Sequence, residues 1–324
     1  MVTALLITDY AWPDLEIERA VIEAAGFRMV AGSAAPASAA AIASLAREHQ
    51  PESILTCWAH VDASAIAASK ALRHVGRFGV GLDNIDVAAC TAHGIPVTNV
   101  PDCCIEEVSD HVIGFALAWT RGIVAFDRAV RAGRWDPAQA KLRRLATQTI
   151  GIVGYGRIGR VTARKFAALG CRVLVHSQPT PEAAAGIEVV NLDALLAASD
   201  IVVLHVPLVE ATRHLINARR IAQMKPGGLL VNVSRGGLVD TEAVVEALRS
   251  GWLGGAALDV LEGEPDVSPA LLQQPTALLT PHVAFSSVTS MAELRQRAAE
   301  EAVRVLRGQP PLNLCNPLYK TPIR

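Results

Sequence analysis

Residues 149–169 read TIGIVGYGRIGRVTARKFAAL, and few backbone arrangements accommodate that run. An apolar, β-prone segment (Ile150–Val153) leads into Gly154, Gly156 and Gly159 at G-x-G-x-x-G spacing. A helical pattern follows over Ile158–Leu169. A strand that turns sharply into a helix needs glycine in the turn. The first two glycines let the backbone reverse and approach a pyrophosphate, and the third lets the helix pack close to the strand. The helix start then offers unpaired N–H groups and a positive dipole end to phosphate oxygens. The motif alone matches many ordinary turns. Between a strand and a helix it makes a dinucleotide-binding unit the expectation, with Gly154, Gly156, Arg157, Ile158 and Gly159 as its cofactor contacts.

The rest of the chain repeats the same alternation. Up to residue 100, the segments ALLIT, RMVAGS, SILTCW, RFGVG (as the end of a fourth strand) and IPVTNV read as strands. Helical patterns separate them, the last starting near Asp83 or Asp86 and closing at Gly94. One long helical pattern runs from about Ile105 to Arg131. From Thr149 to about Pro281 the segments TIGIVG, RVLVHS, IVVLHVP, LLVNVS, AALDV and ALLTP read as six strands, and Ser287–Gly308 as a final helix. Strands alternating with helices imply parallel sheets with right-handed crossovers. At roughly 150 residues per domain, 324 residues suggest two domains. The expected fold class is therefore α/β, with two Rossmann-like or flavodoxin-like parallel-sheet domains.

Composition narrows the partners. Apolar residues make up 51 % and charged residues 19 %, enough for packed cores and unlike a disordered chain. A net charge of −1 gives no general attraction to nucleic acid or anionic membrane, so neither is an expected partner. The most apolar stretch, His111–Phe126, is interrupted by Arg121 and falls short of about 18 apolar residues, so no membrane span is expected. The N-terminus lacks a basic n-region and reads as a strand start rather than a signal peptide. Six cysteines show neither a CxxC pair nor zinc-finger spacing, so the expectation is reduced thiols in a cytoplasmic protein, with no metal site. The neighbours Cys103 and Cys104 read as small apolar residues at a helix start.

Three polar residues fall just beyond strands: Arg235 after LLVNVS, Glu264 after AALDV and His282 after ALLTP. Ligands of open parallel sheets bind outside the carboxyl ends of the strands. Hydride transfer to a carbonyl leaves an alkoxide to be protonated, and a histidine suits that task near neutrality. An oxo acid also has a carboxylate, which a two-pronged arginine holds well. An acid beside the histidine fixes its ring. Arg235, Glu264 and His282 are thus the expected catalytic residues. Further cofactor contacts are expected from His205, Val206, Pro207, Thr212, Val233 and Ser234. His205 reads equally well as a buried, satisfied histidine, His111 as a packing residue, and Trp135 as an anchor between elements or subunits.

The segments VNVSRGGLVDTEAVVEAL, GAALDVLEGEP, LLTPHVAFSS, GVGLDNIDVAACTAHGIPVTNVP and GIVGYGRIGR, in this order apart from the last two lying earlier, resemble the D-isomer-specific 2-hydroxyacid dehydrogenase family over nearly the whole chain. NVPDCCIEEVSDH is similar to the branch holding phosphoglycerate dehydrogenase-like enzymes and the C-terminal-binding-protein corepressors. The resemblance implies that Arg235 binds the substrate's carboxylate and carbonyl, that His282 donates the proton, and that Glu264 pairs with His282. It implies that Asp259 lies by the nicotinamide. It also implies that Val80 and Gly81 offer amides to the carboxylate, and that the loop holding Trp58 and Ala59 shapes the side-chain pocket. The implied layout is a substrate domain of residues 1–100 plus 285–324 and a cofactor domain of 101–284, with the active site in the cleft between them and a homodimer through the middle domain.

The implied activity is transfer of a hydride between NAD(P)H and a small 2-oxo acid, such as glyoxylate, hydroxypyruvate or 3-phosphohydroxypyruvate, giving a D-2-hydroxy acid. A rival reading is an NAD(H)-sensing, corepressor-like binding protein, against which the chain is expected to be little more than a catalytic core. Ser177 occupies the position, about 20 residues after the glycines, where an acid usually holds the adenosine ribose. A serine cannot repel a 2′-phosphate, yet no Lys or Arg occurs from Val173 to Thr212. NAD or NADP is expected, NAD slightly ahead, with Arg157 or Arg172 as the cations that could reach a phosphate.

Overall fold

A computed structural model describes residues 3–180, 182 and 186–320. Met1, Val2 and residues 321–324 of the expected substrate domain lie outside the described residues, as do 181 and 183–185 of the expected cofactor domain. The chain divides into two compact units, Met1–Cys103 with Ser287–Arg324, and Cys104–Ser286.

The first unit carries β1 (Ala4–Asp9), α1 (Glu16–Ala24), β2 (Arg28–Ser33), α2 (Ala39–His49), β3 (Ser53–Thr56), α3 (Ala63–Ala68), β4 (His74–Arg77), α4 (Val87–Ala92) and β5 (Val97–Thr98), together with the final helix Val288–Leu306. Its sheet is parallel throughout, in the order β2-β1-β3-β4-β5. That is the flavodoxin-like order. Every residue of β1, β3 and β4 is buried, because helices cover both faces. Ala4, Leu6, Ile54 and Val75 pack with Ile42 and Ala46 of α2 and Ile66 of α3. Strand alternation sends Leu5, Ile7 and Leu55 to the opposite face. The final helix packs on α1 and is tied to it by buried Arg295, which donates to both Glu18 oxygens at 2.8 Å. Of the two aspartates expected near the start of α4, Asp86 caps it, accepting from the Ala89 amide at 2.8 Å.

The second unit carries α5 (Ile105–Thr120), α6 (Ile123–Arg131), β6 (Thr149–Val153), α7 (Arg157–Ala168), β7 (Arg172–His176), β8 (Ile187–Val189), α8 (Leu192–Ala198), β9 (Ile201–Leu204), α9 (Ala218–Ile221), β10 (Gly228–Asn232), α10 (Thr241–Arg249), β11 (Leu253–Leu258), α11 (Pro269–Leu272) and β12 (Ala277–Leu279). Its seven parallel strands run β12-β11-β10-β9-β6-β7-β8. Counted within the unit, this is the Rossmann order 3-2-1-4-5-6 with one strand added at the far edge.

Four details differ from the sequence reading. The long helix is two, because Gly122 adopts a left-handed backbone (φ 61°) that ends α5 and starts α6. The strand expected to end in RFGVG stops at Arg77, and the strand expected over Ile95–Val100 is only Val97–Thr98. Strand β8 was not expected; its three residues pair with β7 and extend the sheet edge.

Candidate active site

The sheet order of the second unit reverses between β6 and β9, and the glycine turn leaves β6 at that point. Gly154 has φ 102°, and a Cβ there would stand 2.3 Å from the carbonyl oxygen of His205, the first residue past β9. A Cβ on Gly159 would stand 2.1 Å from the Gly154 carbonyl, so α7 sits as close to the turn as a glycine allows. At exposed Gly156 a Cβ would meet no protein atom within 4 Å, leaving the turn open on its outer side. A narrow, side-chain-free turn at a helix start is what a pyrophosphate requires, so these residues fit a dinucleotide.

The neighbouring loops are ordered around this turn. His205 places Nε2 3.0 Å from the Thr162 hydroxyl of α7, and burial pushes its pKa down to about 3, so the ring is neutral. Val206 packs against the core, and the Thr212 hydroxyl donates to the Pro207 carbonyl at 2.7 Å. Val233 is buried, and the Ser234 hydroxyl donates to Leu204 O at 2.8 Å, joining the loop after β10 to the end of β9. Ser177 is half-buried just past β7. Arg172 is committed to both oxygens of Glu188, at 2.8 and 2.7 Å, whereas Arg157 is exposed at the start of α7.

Arg235, Glu264 and His282 follow β10, β11 and β12, three neighbouring strands. His282 Nδ1 lies 2.6 Å from Glu264 Oε1. Burial alone would push the Glu264 carboxyl up, but the hydrogen bond and charge of His282, the Leu261 amide and the charge of Arg235 hold it below its ordinary value. Glu264 is therefore a carboxylate at neutral pH and accepts from Nδ1–H, so the ring is held through Nδ1. Arg235 donates to the Ser234 carbonyl at 2.7 Å. The following residue, Gly236, fixes its loop, since a Cβ there would stand 2.1 Å from the Leu261 carbonyl carbon.

His282 has φ 55°, a left-handed backbone that costs a residue with a side chain roughly 1–2 kcal/mol. Asp259 holds it there. Its carbonyl accepts from the His282 amide (2.8 Å), its Oδ1 from the Val283 amide (2.9 Å) and its Oδ2 from the Ala284 amide (2.9 Å). Thr280 donates its hydroxyl to the same Oδ1 at 2.5 Å. Asp259, 1 % exposed, is thus a clamp on the loop that carries His282.

Two features escaped the sequence reading. His111 of α5, read as a packing residue, does pack edge-on to Phe115, but its Nε2 also lies 3.0 Å from the Thr280 hydroxyl, 169 positions away. Glu262 bonds His214 Nε2 at 2.6 Å and both the amide and hydroxyl of Thr241, pinning the loop after β11 two residues before Glu264. The acids Glu262 and Glu264, two positions apart in LEGEP, were the only available signal for this second pair.

The expected substrate residues lie at the carboxyl edge of the first unit's own sheet. Trp58 and Ala59 follow β3, and Val80 and Gly81 follow β4. Buried Asp9, at the end of β1, accepts from the amides of Cys57 (3.1 Å), Trp58 (2.7 Å) and Ala59 (3.2 Å). Arg77 is buried beneath this loop, donating to Asn84 Oδ1 at 3.0 Å and to the Phe78 carbonyl, with its guanidinium 5.4 Å from the Trp58 ring centre. Val80 is exposed, and its carbonyl accepts from Asn99. His60 is exposed.

None of the six cysteines is in a disulfide, and burial pushes Cys57 and Cys90 up to about 12, so these two do not serve as nucleophiles. Among the described residues no cluster of three His, Cys, Asp or Glu side chains is placed to hold a metal ion, and no helix is long and apolar enough to cross a membrane.

Residues 113–284 match the profile described as "D-isomer specific 2-hydroxyacid dehydrogenase, NAD binding domain". Over 265 residues the chain is 37 % identical to a glyoxylate reductase of Thermofilum pendens, covering 79 % of this chain and 78 % of that one. It is 40 % identical over 265 residues to a glyoxylate reductase of Korarchaeum cryptofilum, covering 79 % and 80 %. Among solved structures, the NADPH-dependent glyoxylate/hydroxypyruvate reductase of Sinorhizobium meliloti, in complex with NADP and malonate, superposes with a TM-score of 0.86 at 30 % identity, covering 100 % of this chain and 99 % of that one. The fold, the glycine turn and these relatives define a nicotinamide-dependent oxidoreductase. This chain belongs to the D-isomer specific 2-hydroxyacid dehydrogenase family.

Proposed function

We propose that this protein is an NAD(P)H-dependent reductase of small 2-oxo acids, yielding D-2-hydroxy acids and reversible in principle. The observation that carries the reading is the His282–Glu264 pair, 2.6 Å apart, in the loops after β12 and β11, the two strands that follow Arg235's β10 in the sheet order, in the sheet that also bears the glycine turn. The residues of that turn, with Ser177 and the loops after β9 and β10, would hold the dinucleotide, which when bound supplies the hydride. Arg235 would bind the substrate carboxylate and polarise the carbonyl. His282 would deliver a proton from Nε2 to the oxygen that gains charge, while Glu264 holds the ring through Nδ1 and stabilises the imidazolium.

In this reading residues 101–284 are the cofactor domain, and Trp58, Ala59, Val80 and Gly81 are the substrate-binding residues. Arg77 is engaged beneath the Trp58 loop, which favours glyoxylate or hydroxypyruvate over a phosphorylated substrate. Cofactor choice is relaxed, because Ser177 does not repel a 2′-phosphate and Arg172 is committed to Glu188. A homodimer through the middle domain is supported by α6, none of whose residues is buried, and by Trp135, 84 % exposed and so unavailable as an anchor within its own chain. Cysteines outside any disulfide suit a cytoplasmic protein.

Replacing Arg235 with Ala tests the reading. Turnover of 2-oxo acids is expected to fall by about 10³-fold or more, as loss of a bidentate charged contact at the reacting centre implies, while NADH binding persists. A variant that turns over like the parent sinks the reading.

A further inference from the structure

His111 lies outside the residues that face substrate or cofactor in this reading, yet it ends a hydrogen-bonded chain that reaches His282. Proton bookkeeping fixes the direction of that chain. Asp259 accepts three contacts through its carboxylate, from Thr280, Val283 and Ala284. The Thr280 hydroxyl has one proton, and at 2.5 Å it is given to Asp259 Oδ1. The contact between His111 Nε2 and Thr280 Oγ1 at 3.0 Å must then run the other way, with the imidazole donating. The chain reads His111 Nε2–H to Thr280 O–H to Asp259 carboxylate, each bond polarising the next. Phe115 meets the His111 ring edge-on, with centroids 4.5 Å apart and planes at 83°, so ring rotation is restrained.

The far end of the chain holds the left-handed His282 backbone. Two of the three amide contacts that Asp259 makes with residues 282–284 go to its carboxylate, the group oriented by Thr280. His111 on α5 is thereby connected through three hydrogen bonds in series to the loop that carries His282.

We propose that His111 is a positioning residue for the reduction: its Nε2–H, through Thr280 and Asp259, sets the loop that aims His282. The proposal rests on the reading of His282 as proton donor.

The test compares His111→Phe, which keeps a ring and removes the donor, with His111→Gln, whose amide N–H₂ can stand where Nε2 stands. Wild type and both variants are assayed with NADH and glyoxylate or hydroxypyruvate, and their folding is checked by circular dichroism. A small displacement of the proton donor costs about 10–100-fold in kcat. That loss is expected in His111→Phe, with KM for either substrate within about threefold, and His111→Gln is expected to recover most of it. His111→Phe at wild-type kcat, or His111→Gln as impaired as His111→Phe, overturns the proposal. Should His111→Phe fail to fold, Thr280→Val severs the chain from its middle and is judged by the same split, loss of kcat supporting and unchanged kcat overturning. An activity-free readout is the ¹⁵N spectrum of the imidazole at neutral pH. The Nε2–H tautomer is expected, and the Nδ1–H tautomer overturns the proposal. A wild-type protein that reduces no 2-oxo acid defeats the functional reading itself. A turning-over wild type with a silent His111 defeats only this inference.

Discussion

Asp9 and Asp259 do the same work in two different sheets, and the comparison separates what a fold needs from what a reaction needs. Each is a buried aspartate at the carboxyl end of a parallel strand. Each holds three successive amides of the loop leaving the adjacent strand: Cys57–Ala59 after β3 for Asp9, and His282–Ala284 after β12 for Asp259. A short carboxylate facing a row of N–H groups satisfies donors that the end of a strand would otherwise bury unpaired. The difference lies in what is held. Asp9 takes all three amides with its side chain, and its loop presents the Trp58 ring. Asp259 takes one amide with its carbonyl and two with its side chain, and its loop keeps His282 at φ 55°. One clamp shapes a surface; the other sustains the left-handed backbone of the residue proposed as proton donor, a pattern associated with functional positions.

The largest effects should follow from loosening these clamps one at a time. Asn in place of either aspartate turns one acceptor into a donor facing amides, and about 1–3 kcal/mol of stability should go with each buried donor left unpaired. Thermal unfolding should therefore drop by several degrees in both variants. Their kinetics should part company. Asp259→Asn is expected to lose about 100-fold in kcat through misplacement of His282. Asp9→Asn should instead raise KM for the 2-oxo acid while kcat stays within about threefold. Equal kcat losses in the two variants would break the comparison.

Acid stability gives an intermediate effect on which the two units should agree. His74 in the first unit sits between the Ser53 and Thr98 hydroxyls, and His205 in the second beside Thr162; burial pushes both down to about 3. Each ring is neutral in the folded chain and charges near 6.5 when unfolded. Below about 6.5 the unfolded state binds protons that the folded state refuses, so stability should fall as pH drops from about 6.5 towards 3. Glu264 adds to this at lower pH. Its carboxyl is held below the ordinary value, so its contribution is present above about 4.3 and is lost as pH falls through the folded value. Unfolding midpoints that stay flat between pH 7 and 5 would contradict the neutral burial of His74 and His205.

The smallest effect concerns the adenosine end of the site. Ser177→Asp restores the carboxylate that repels a 2′-phosphate. It should lower kcat/KM with NADPH by about 10-fold while leaving NADH within about threefold, as one poorly screened like-charge contact implies. An unchanged ratio would place Ser177 away from the ribose.

The placement of Arg235, Glu264 and His282 after three neighbouring strands was legible because each follows an apolar strand run in the sequence, and the glycine turn marked which edge to read. Strand β8 was not, since Ile187–Val189 is too short to show a period. The break at Gly122 was hidden in an otherwise continuous helical pattern. His111 resisted for another reason: its partner, Thr280, is 169 residues away, and a histidine on an apolar helix face has the same local signature whether it packs or donates. Asp259 was placed by family resemblance at the nicotinamide, and the structure shows its carboxylate oxygens engaged by Thr280, Val283 and Ala284.

The most direct test of the account is steady-state oxidation of NADH and of NADPH against glyoxylate and hydroxypyruvate, with wild type and Arg235→Ala side by side and cofactor binding followed by fluorescence. Turnover by the wild type with at least one cofactor, its loss in the variant, and nucleotide binding in both are expected. Binding of both nucleotides by a wild-type protein that reduces neither acid would contradict it.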